Sequence, residues 1–214
     1  MKKYISTVII LLVCLMTLSV AAQKTEPAKA NAGAAAKASY QEMLEKVKKG
    51  ETVDFKTMRF VFADTDSAYE DHELTKQIHK AFADKDFDEA LKIALKQLET
   101  SYVNIEAHRV AAYMYNKTDK TRSDFHAKIA AGLLNSIFSN GDGKTTKTAW
   151  TVIDVGEEYA ALNALGYQVR GQSLIHEDGH SFDLMQVIDK ESKEAKFYFN
   201  VDIVFAAYDK MFKN

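Results

Sequence analysis

The sequence has almost no cysteine and almost no proline, and the scarcity of cysteine excludes several kinds of chemistry. Cys14 and Pro27 are the only residues of their types among 214. Because Cys14 lies in an apolar N-terminal stretch that we expect to be removed, the mature chain has no cysteine. Disulfides, thiolate nucleophiles and cysteine-ligated metals are therefore excluded. A domain of this size can rely on its hydrophobic core instead.

The chain also lacks an excess of basic residues, which argues against nucleic acid as a partner. It has 28 Lys and Arg against 30 Asp and Glu, a formal charge of −2. Removal of residues 1–22 takes away two lysines and no acidic residue, so the charge becomes −4. Nucleic-acid surfaces need a basic patch, and here the basic residues are scattered. The composition, 47% hydrophobic and 27% charged, is that of an ordinary globular domain.

The first residues have the three-part layout of a secretory signal peptide. Lys2 and Lys3 precede an apolar stretch at 8–20, which ends in the small residues Ala21 and Ala22. We predict cleavage after residue 22 and export to the periplasm or the cell exterior. A membrane anchor is the alternative, but the apolar run is short for about 30 Å of hydrocarbon. No other stretch is apolar enough, so we expect no membrane span after cleavage.

A lipoprotein signal is a second alternative, because Cys14 lies in the apolar run. It is disfavoured because Val13 occupies the preceding position, where a small residue is needed.

The hydrophobic periodicity predicts an α+β fold in the rest of the chain. We expect a flexible Ala/Lys-rich tether at 23–39 and a single domain at 40–214, with a helical part at 40–138 and a strand-rich part at 148–214. The second part should contain a mainly antiparallel sheet and a terminal helix. The predicted helices are 40–49, 54–62, 69–83, 86–98, 105–115, 121–138, 157–165 and 203–212, and the predicted strands are 150–155, 167–175, 181–188 and 195–201.

One helical segment resembles a tetratricopeptide-type hairpin. The stretch DFDEALKIALKQLE starts at Asp86, and Ala107 and Ala111 follow at positions where small side chains let helices approach. At most two degenerate repeats fit, fewer than the three that usually stand alone. We therefore expect these helices to pack against the second half of the chain.

Three catalytic motifs are approached in the sequence but not completed. His176 to His180 matches HExxH, yet that motif needs a helix, and Asp178-Gly179 predicts a two-residue hairpin turn that sends the two histidines to opposite faces. Gly143-Lys144-Thr145 lacks the earlier glycine of a phosphate-binding loop. Gly171-Gln172-Ser173 lies within a predicted strand and is no nucleophile elbow.

Two histidines on neighbouring predicted helices are the first candidates for a site. His108 and His126 lie at similar distances from the turn near residues 117–119, so an antiparallel helix pair places them nearly level. They are either hydrogen-bonded core histidines or a paired acid/base or metal site. The second alternative needs carboxylates, and those available are Glu157, Glu158, Asp183 and Asp202.

The predicted sheet offers a second group of polar side chains. In the expected hairpin register, Gln172, His176 and Asp183 share one face, and Tyr198 and Asn200 could join them. This face is either the wet side of the sheet or the lining of a ligand groove. A further binding candidate is Asp142, which could project from the loop at 139–143 after the last long helix.

Short stretches spread over most of the mature chain together form a recognisable pattern. They are Ala107-His108, His126 with GLLNSI, Gly141-Asp142-Gly143, TAWTVI from Thr148, Glu157-Glu158-Tyr159, Gln172-Ser173-Leu174, GHSFD from Gly179 and YFNVD from Tyr198. With these stretches, the run from about residue 54 to 205 resembles a bacterial family described as domain of unknown function 4919. Phe182 stands where a tyrosine is more typical of that family. The resemblance implies secretion and a shared fold, but no activity, cofactor or functional residue.

Two functional hypotheses of different classes follow. The first is an exported, non-catalytic envelope protein that binds a protein or small-molecule partner. The second is a periplasmic enzyme, a hydrolase or a metal-dependent enzyme, that uses His108, His126, His180 and nearby carboxylates. In a third hypothesis, the histidines and the polar residues of the sheet are structural, and the function lies on a surface that the sequence does not identify. We favour the first, with no metal site and no cofactor, and expect convergence of the histidines and carboxylates in one pocket only if the second is right.

Overall fold

The computed structural model describes residues 25–65 and 72–212. The predicted signal peptide lies outside the described residues. The elements, in chain order, are α1 (Thr25–Lys48), α2 (Phe55–Ala63), α3 (His72–Ala83), α4 (Phe87–Thr100), α5 (Ile105–Tyr115), α6 (Lys120–Phe138), a 3-10 turn (Thr146–Thr148), β1 (Trp150–Thr151), α7 (Val155–Ala164), β2 (Gln168–Glu177), β3 (His180–Ile188), β4 (Glu194–Asn200) and α8 (Asp202–Phe212). The predicted α+β class is confirmed.

Capping residues set the helix boundaries that the sequence indicates. Asp86, Asn104, Asp119 and Asp154 each accept a hydrogen bond from a backbone N–H of the first turn that follows. At the end of α1, Gly50 has a φ of 79°, a conformation that glycine adopts without strain. The caps explain why most helices begin within two residues of the predicted positions.

The first helix is longer than predicted. It begins at Thr25 and includes most of the segment predicted to be a flexible tether. Alanine and lysine favour a helix, and Pro27 lies in the first turn, where a proline is tolerated. Within residues 33–40, Tyr40 is the first buried side chain. The packed part of α1 therefore starts where the domain was predicted to start, and the role of 23–39 as a tether stays a prediction.

The four strands form one sheet in the order β1-β4-β3-β2. β1 pairs with β4 in parallel, and the other two pairs are antiparallel. The predicted strand at 150–155 is wrong beyond Thr151, because Asp154 caps α7 and Val155 already belongs to that helix. The turn at Asp178-Gly179 is confirmed: both residues have positive φ, and Glu177 pairs with His180.

One face of the sheet packs against the helices. Phe197, Phe199 and Met185 point to this inner face and are at most 3% exposed. They belong to the same buried cluster as Tyr40 and Leu133 of the helical part. The helical and strand-rich parts therefore share one hydrophobic core. The helices pack against the second half of the chain, as expected from the sequence.

Candidate functional site

His108 and His126 contact each other directly. Their Nδ1 atoms are 2.9 Å apart, so the predicted level placement on α5 and α6 is confirmed. His108 is fully buried and His126 is 8% exposed. The other ring nitrogen of His108 lies 2.9 Å from the backbone carbonyl of Tyr102. Tyr102 packs edge-on against His108, and Tyr115 stacks on His126.

The partners of the two rings determine their tautomers. A carbonyl oxygen only accepts, so Nε2 of His108 carries a proton and donates to Tyr102. In the neutral ring, Nδ1 of His108 is then an acceptor, and Nδ1 of His126 must donate to it. Burial lowers the pKa of His108 to about 3, and burial followed by the charge of Arg122 lowers that of His126. Both rings are neutral at pH 7, as expected for hydrogen-bonded core histidines.

Glu157 is held in a buried ion pair that the sequence did not predict. Its two carboxylate oxygens accept from Nε and Nη2 of Arg59 at 2.7 and 2.5 Å, and one also accepts from the backbone of Ile153. Arg59 is fully buried and donates further to Ser136 and to the carbonyl of Thr151. Glu157 is therefore a structural anchor, because both of its carboxylate oxygens already accept hydrogen bonds, two of them from a charged guanidinium.

Glu158 and Asp183 form the most perturbed acidic site among the described residues. Glu158 is fully buried, and its carboxyl oxygens, which have no well-aligned hydrogen-bond partner among the described residues, interact with the carboxyl group of Asp183. Burial, followed by the charge of Asp183, raises the pKa of Glu158 to about 9. Asp183 is 9% exposed and accepts from the amide of Gln172 at 2.6 Å. Glu158 is thus protonated at neutral pH beside an acidic neighbour, but it is sealed from solvent.

The polar face predicted on the sheet is partly correct. Leu174 pairs with Asp183, so the two side chains lie on the same face of the sheet. Gln172 and His176 are two positions before and after Leu174 on the same strand, so they share that face. It is the inner face, and Asp183 is buried in it, so the interpretation as the wet side is wrong for Asp183. The proposed addition of Tyr198 and Asn200 is also wrong. Both point to the opposite face, because β3 and β4 pair Asp183 with Phe199.

Three of the candidate residues meet at the exposed end of the sheet. Nδ1 of His180 lies 2.6 Å from Asp202, whose carboxylate also accepts from the backbone of Ser181 and from the amide of Asn200. His180 keeps 59% of its side chain exposed. His176 lies on the other face and contacts Ser181 Oγ at 3.1 Å. The two histidines of the HExxH match are therefore separated by the sheet, as predicted.

Asp142 closes its own loop. Its carboxylate accepts from Thr148 Oγ1 at 2.6 Å and from the backbone of Lys144 at 3.0 Å, and the first of these bonds is the largest cause of its lowered pKa. The loop lies on the single tryptophan: Trp150 Nε1 donates to the carbonyl of Gly141. Asp142 therefore stabilises the turn through Oδ1, and its side chain is exposed.

An open cleft lies between the helical part and α7. Its volume is about 180 Å³, and it is bounded by α2, α3, α4, the beginning of α5 and one side of α7. Phe62, Val103 and Ile105 form apolar wall, and Tyr159 is 40% exposed at the rim. His79 lies 4.0 Å from Glu106 across one side. The polar residues of the lining are Thr75, His79, Gln97, Ser101, Asn104, Glu106, Asp154, Glu157, Tyr159 and Asn163.

Helix capping limits which ligands the cleft suits. The N-termini of α5 and α7 both face it, which favours negative charge. However, Asn104 and Asp154 already accept from the backbone N–H groups of Ala107 and Gly156, and Glu106 adds a carboxylate. The donors that an anion would need are therefore partly occupied, and neutral polar or amine-bearing groups fit the cleft better.

Comparison with known families assigns the chain. The family model described as domain of unknown function DUF4919 matches residues 33–210. The chain belongs to the DUF4919 family. The resemblance found from the sequence is thereby confirmed and extends to almost the whole described chain. No curated protein and no solved structure matches the chain.

Of the ten candidate residues, only Glu157 lines the cleft of this DUF4919 domain. The histidines and carboxylates do not converge there, and no group of three His, Asp or Glu side chains in residues 25–65 and 72–212 is arranged to hold a metal ion. Among the same residues, no helix is both long and apolar enough to cross a bilayer. Arg59 was missed, although an arginine inside the apolar run 58–62 is a signal that could have identified it.

Proposed function

We propose that this DUF4919 protein is an exported, non-catalytic binding protein of the bacterial envelope, and that the cleft takes a small polar ligand. The observation that carries the proposal is the cleft itself. It combines an exposed aromatic ring, Tyr159, with buried apolar wall and several hydrogen-bonding groups, which is the usual make-up of a ligand site. A volume of about 180 Å³ suits a ligand of amino-acid or monosaccharide size.

The fate of the acid/base candidates supports binding over catalysis. His108 is sealed in the core, Glu157 is neutralised by Arg59, and Glu158 has no exposed surface. General acid/base catalysis needs such groups within hydrogen-bond reach of a substrate. His108 and Glu158 do not line the cleft, and Glu157, which does, has both carboxylate oxygens held by Arg59 and the backbone of Ile153.

A thermal-shift screen against amino acids and monosaccharides tests the binding role. A ligand that binds only the folded state raises the melting temperature, by an amount that grows with the logarithm of its free concentration once this exceeds the Kd. The variant Asn163→Trp should abolish the shift by filling the rim of the cleft. The matched control is Ala164→Trp, an exposed position on the same helix that does not line the cleft. A shift that survives Asn163→Trp would contradict the proposed site.

Export rests on the N-terminal pattern and has its own test. The full chain, expressed in a bacterium, should be recovered from the envelope fraction with Gln23 as its first residue. Retention of residues 1–22 on the recovered protein would contradict cleavage.

The helical hairpin of α4 and α5, which resembles a tetratricopeptide unit, would serve in this proposal as a rigid wall of the cleft.

A second candidate function rests on His180 and Asp202. A carboxylate that orients an exposed imidazole is the pairing used in general-base catalysis. In this alternative, Nε2 of His180 activates water against a substrate bound at the end of the sheet. Hydrolysis of a panel of simple esters and amides, lost in both His180→Ala and Asp202→Asn, would support it. Hydrolysis rates in both variants equal to that of the unmodified chain would exclude it.

A further inference from the structure

The strand β2 is a long open edge of the sheet. It spans ten residues, and within the described chain only β3 pairs with it. The opposite edge is different: β1 has two residues, and the loop beside it covers β4, since the backbone N–H of Tyr198 donates to the carbonyl of Gly143. An uncovered edge strand offers unpaired N–H and C=O groups to another strand. The sheet therefore has one long edge able to accept a partner strand.

The hairpin turn determines which residues of β2 have outward backbone groups. In a type I′ turn the first and fourth residues share a hydrogen bond, so Glu177 and His180 form a hydrogen-bonded pair. Bonding to β3 then alternates along the strand. Gln172, Leu174 and His176 consequently direct their N–H and C=O groups to the open edge.

We propose that β2 pairs antiparallel with β2 of a second copy of this chain, about a two-fold axis at Leu174. In this register Leu174 lies opposite the partner's Leu174, and Gln172 lies opposite the partner's His176. All three outward-facing residues of each copy are then paired, which gives about six interchain hydrogen bonds. A shift of the axis by one residue in either direction leaves one outward-facing residue of each copy without such a partner.

The charges of the edge favour a second copy over another partner. The same register places Gly171 opposite the partner's Glu177, and the bulged Arg170 lies next to Gly171. Arg170 and Glu177 are both exposed, and neither has an ion-pair partner in the part of the chain that the structure describes. The two-fold axis brings each arginine to the glutamate of the other copy, so the edge is complementary to itself.

Exposed apolar side chains lie along the same segment. Leu174 is 47% exposed in the middle of the strand, and Tyr159, whose hydroxyl contacts Gln172, is 40% exposed. Leu165, between α7 and β2, is 45% exposed. Pairing removes Leu174 from water by placing it against its own copy, which adds a hydrophobic contribution to the hydrogen bonds. Two four-stranded sheets would become one continuous sheet.

Cysteine cross-linking tests the register directly. In a Cys14→Ser chain any introduced cysteine is unique. Hydrogen-bonded antiparallel partners have Cα atoms about 5.5 Å apart, within the disulfide range, so Leu174→Cys should give a disulfide-linked dimer on mild oxidation. The matched control is Ser173→Cys. Its two Cα atoms are about 8 Å apart in the proposed register, too far for a disulfide.

Sedimentation of the otherwise unmodified chain provides the independent measurement. We expect a reversible dimer, with Glu177→Arg weakening its Kd by about tenfold because two ion pairs become repulsive. The double variant Arg170→Glu with Glu177→Arg should restore the Kd, whereas Lys117→Glu, at the exposed turn after α5, should not change it. A monomer at about 0.1 mM, a dimer insensitive to Glu177→Arg, or cross-linking through Ser173→Cys but not Leu174→Cys would each overturn the proposal.

Discussion

Replacing Glu158 by glutamine should stabilise the protein at neutral pH. The carboxyl of Glu158 is fully buried, has no well-aligned hydrogen-bond partner among the described residues, and interacts with its acidic neighbour Asp183. To ionise, it would have to place a negative charge in the core beside another carboxylate. Glutamine has nearly the same shape, cannot ionise, and carries N–H groups able to donate to Asp183.

The raised pKa sets the sign and size of the effect. A group whose pKa is higher in the folded state than in the unfolded state stabilises the fold below the unfolded pKa. That stabilisation is lost as the pH rises towards the folded pKa. For Glu158 the window runs from the model-peptide value of 4.5 to about 9. The free energy of unfolding should fall by roughly 1 kcal/mol per pH unit there, so glutamine should recover roughly 3 kcal/mol at pH 7.

Urea unfolding at about pH 5, 7 and 9 measures this dependence through the linear extrapolation of the free energy. The unmodified chain should lose stability as the pH rises, and Glu158→Gln should show a much flatter profile. The control is Glu191→Gln, which changes an exposed glutamate and should reproduce the unmodified profile. A parallel slope in Glu158→Gln, or an unmodified chain that gains stability between pH 5 and 9, would refute the reasoning.

Three further predictions follow from the contacts of the core. Arg59→Met should cost about 3–5 kcal/mol by leaving a buried carboxylate unpaired, and replacing its glutamate partner by leucine as well should recover part of the loss, as urea unfolding can measure. Nitrogen NMR at neutral pH should show His108 protonated at Nε2 and His126 at Nδ1; the reverse tautomers would contradict the assigned donors. Gly143→Ala should destabilise more than Gly166→Ala, because both have positive φ but only the first places a Cβ against the tryptophan ring, at 2.9 Å, and tryptophan fluorescence should report it.

Local features of the fold were predictable from the sequence. Helix caps and the Asp178-Gly179 turn act over a few residues, so their signals are readable in the chain itself. The contact between His108 and His126 was predictable for the same reason, since a short turn joins α5 and α6 and the positions can be counted from it. The structure adds what counting cannot, namely the direction of each hydrogen bond.

Features that depend on distant pairing were not predictable. The face of Asn200 depends on the register of β3 and β4, whose connection at 189–193 has Ser192 in the left-handed region. A one-residue change in such a loop moves every side chain of the strand to the other face. Arg59 and Glu157 are 98 positions apart, and no local pattern links them. The cleft has the same origin, because its walls come from helices distant in the chain.

The arrangement around Arg59 has a consequence for how the chain is made. During synthesis, α2 is complete long before Thr151 and Glu157, which satisfy most of its guanidinium, have been added. Until then the helical part has either to keep this arginine in water or to bury a charge without its counterion. We therefore expect the nascent helices to stay short of their final packing until α7 has been synthesised. A fragment that ends at Phe138 should accordingly remain loosely packed, and the two parts of this protein should fold as one unit.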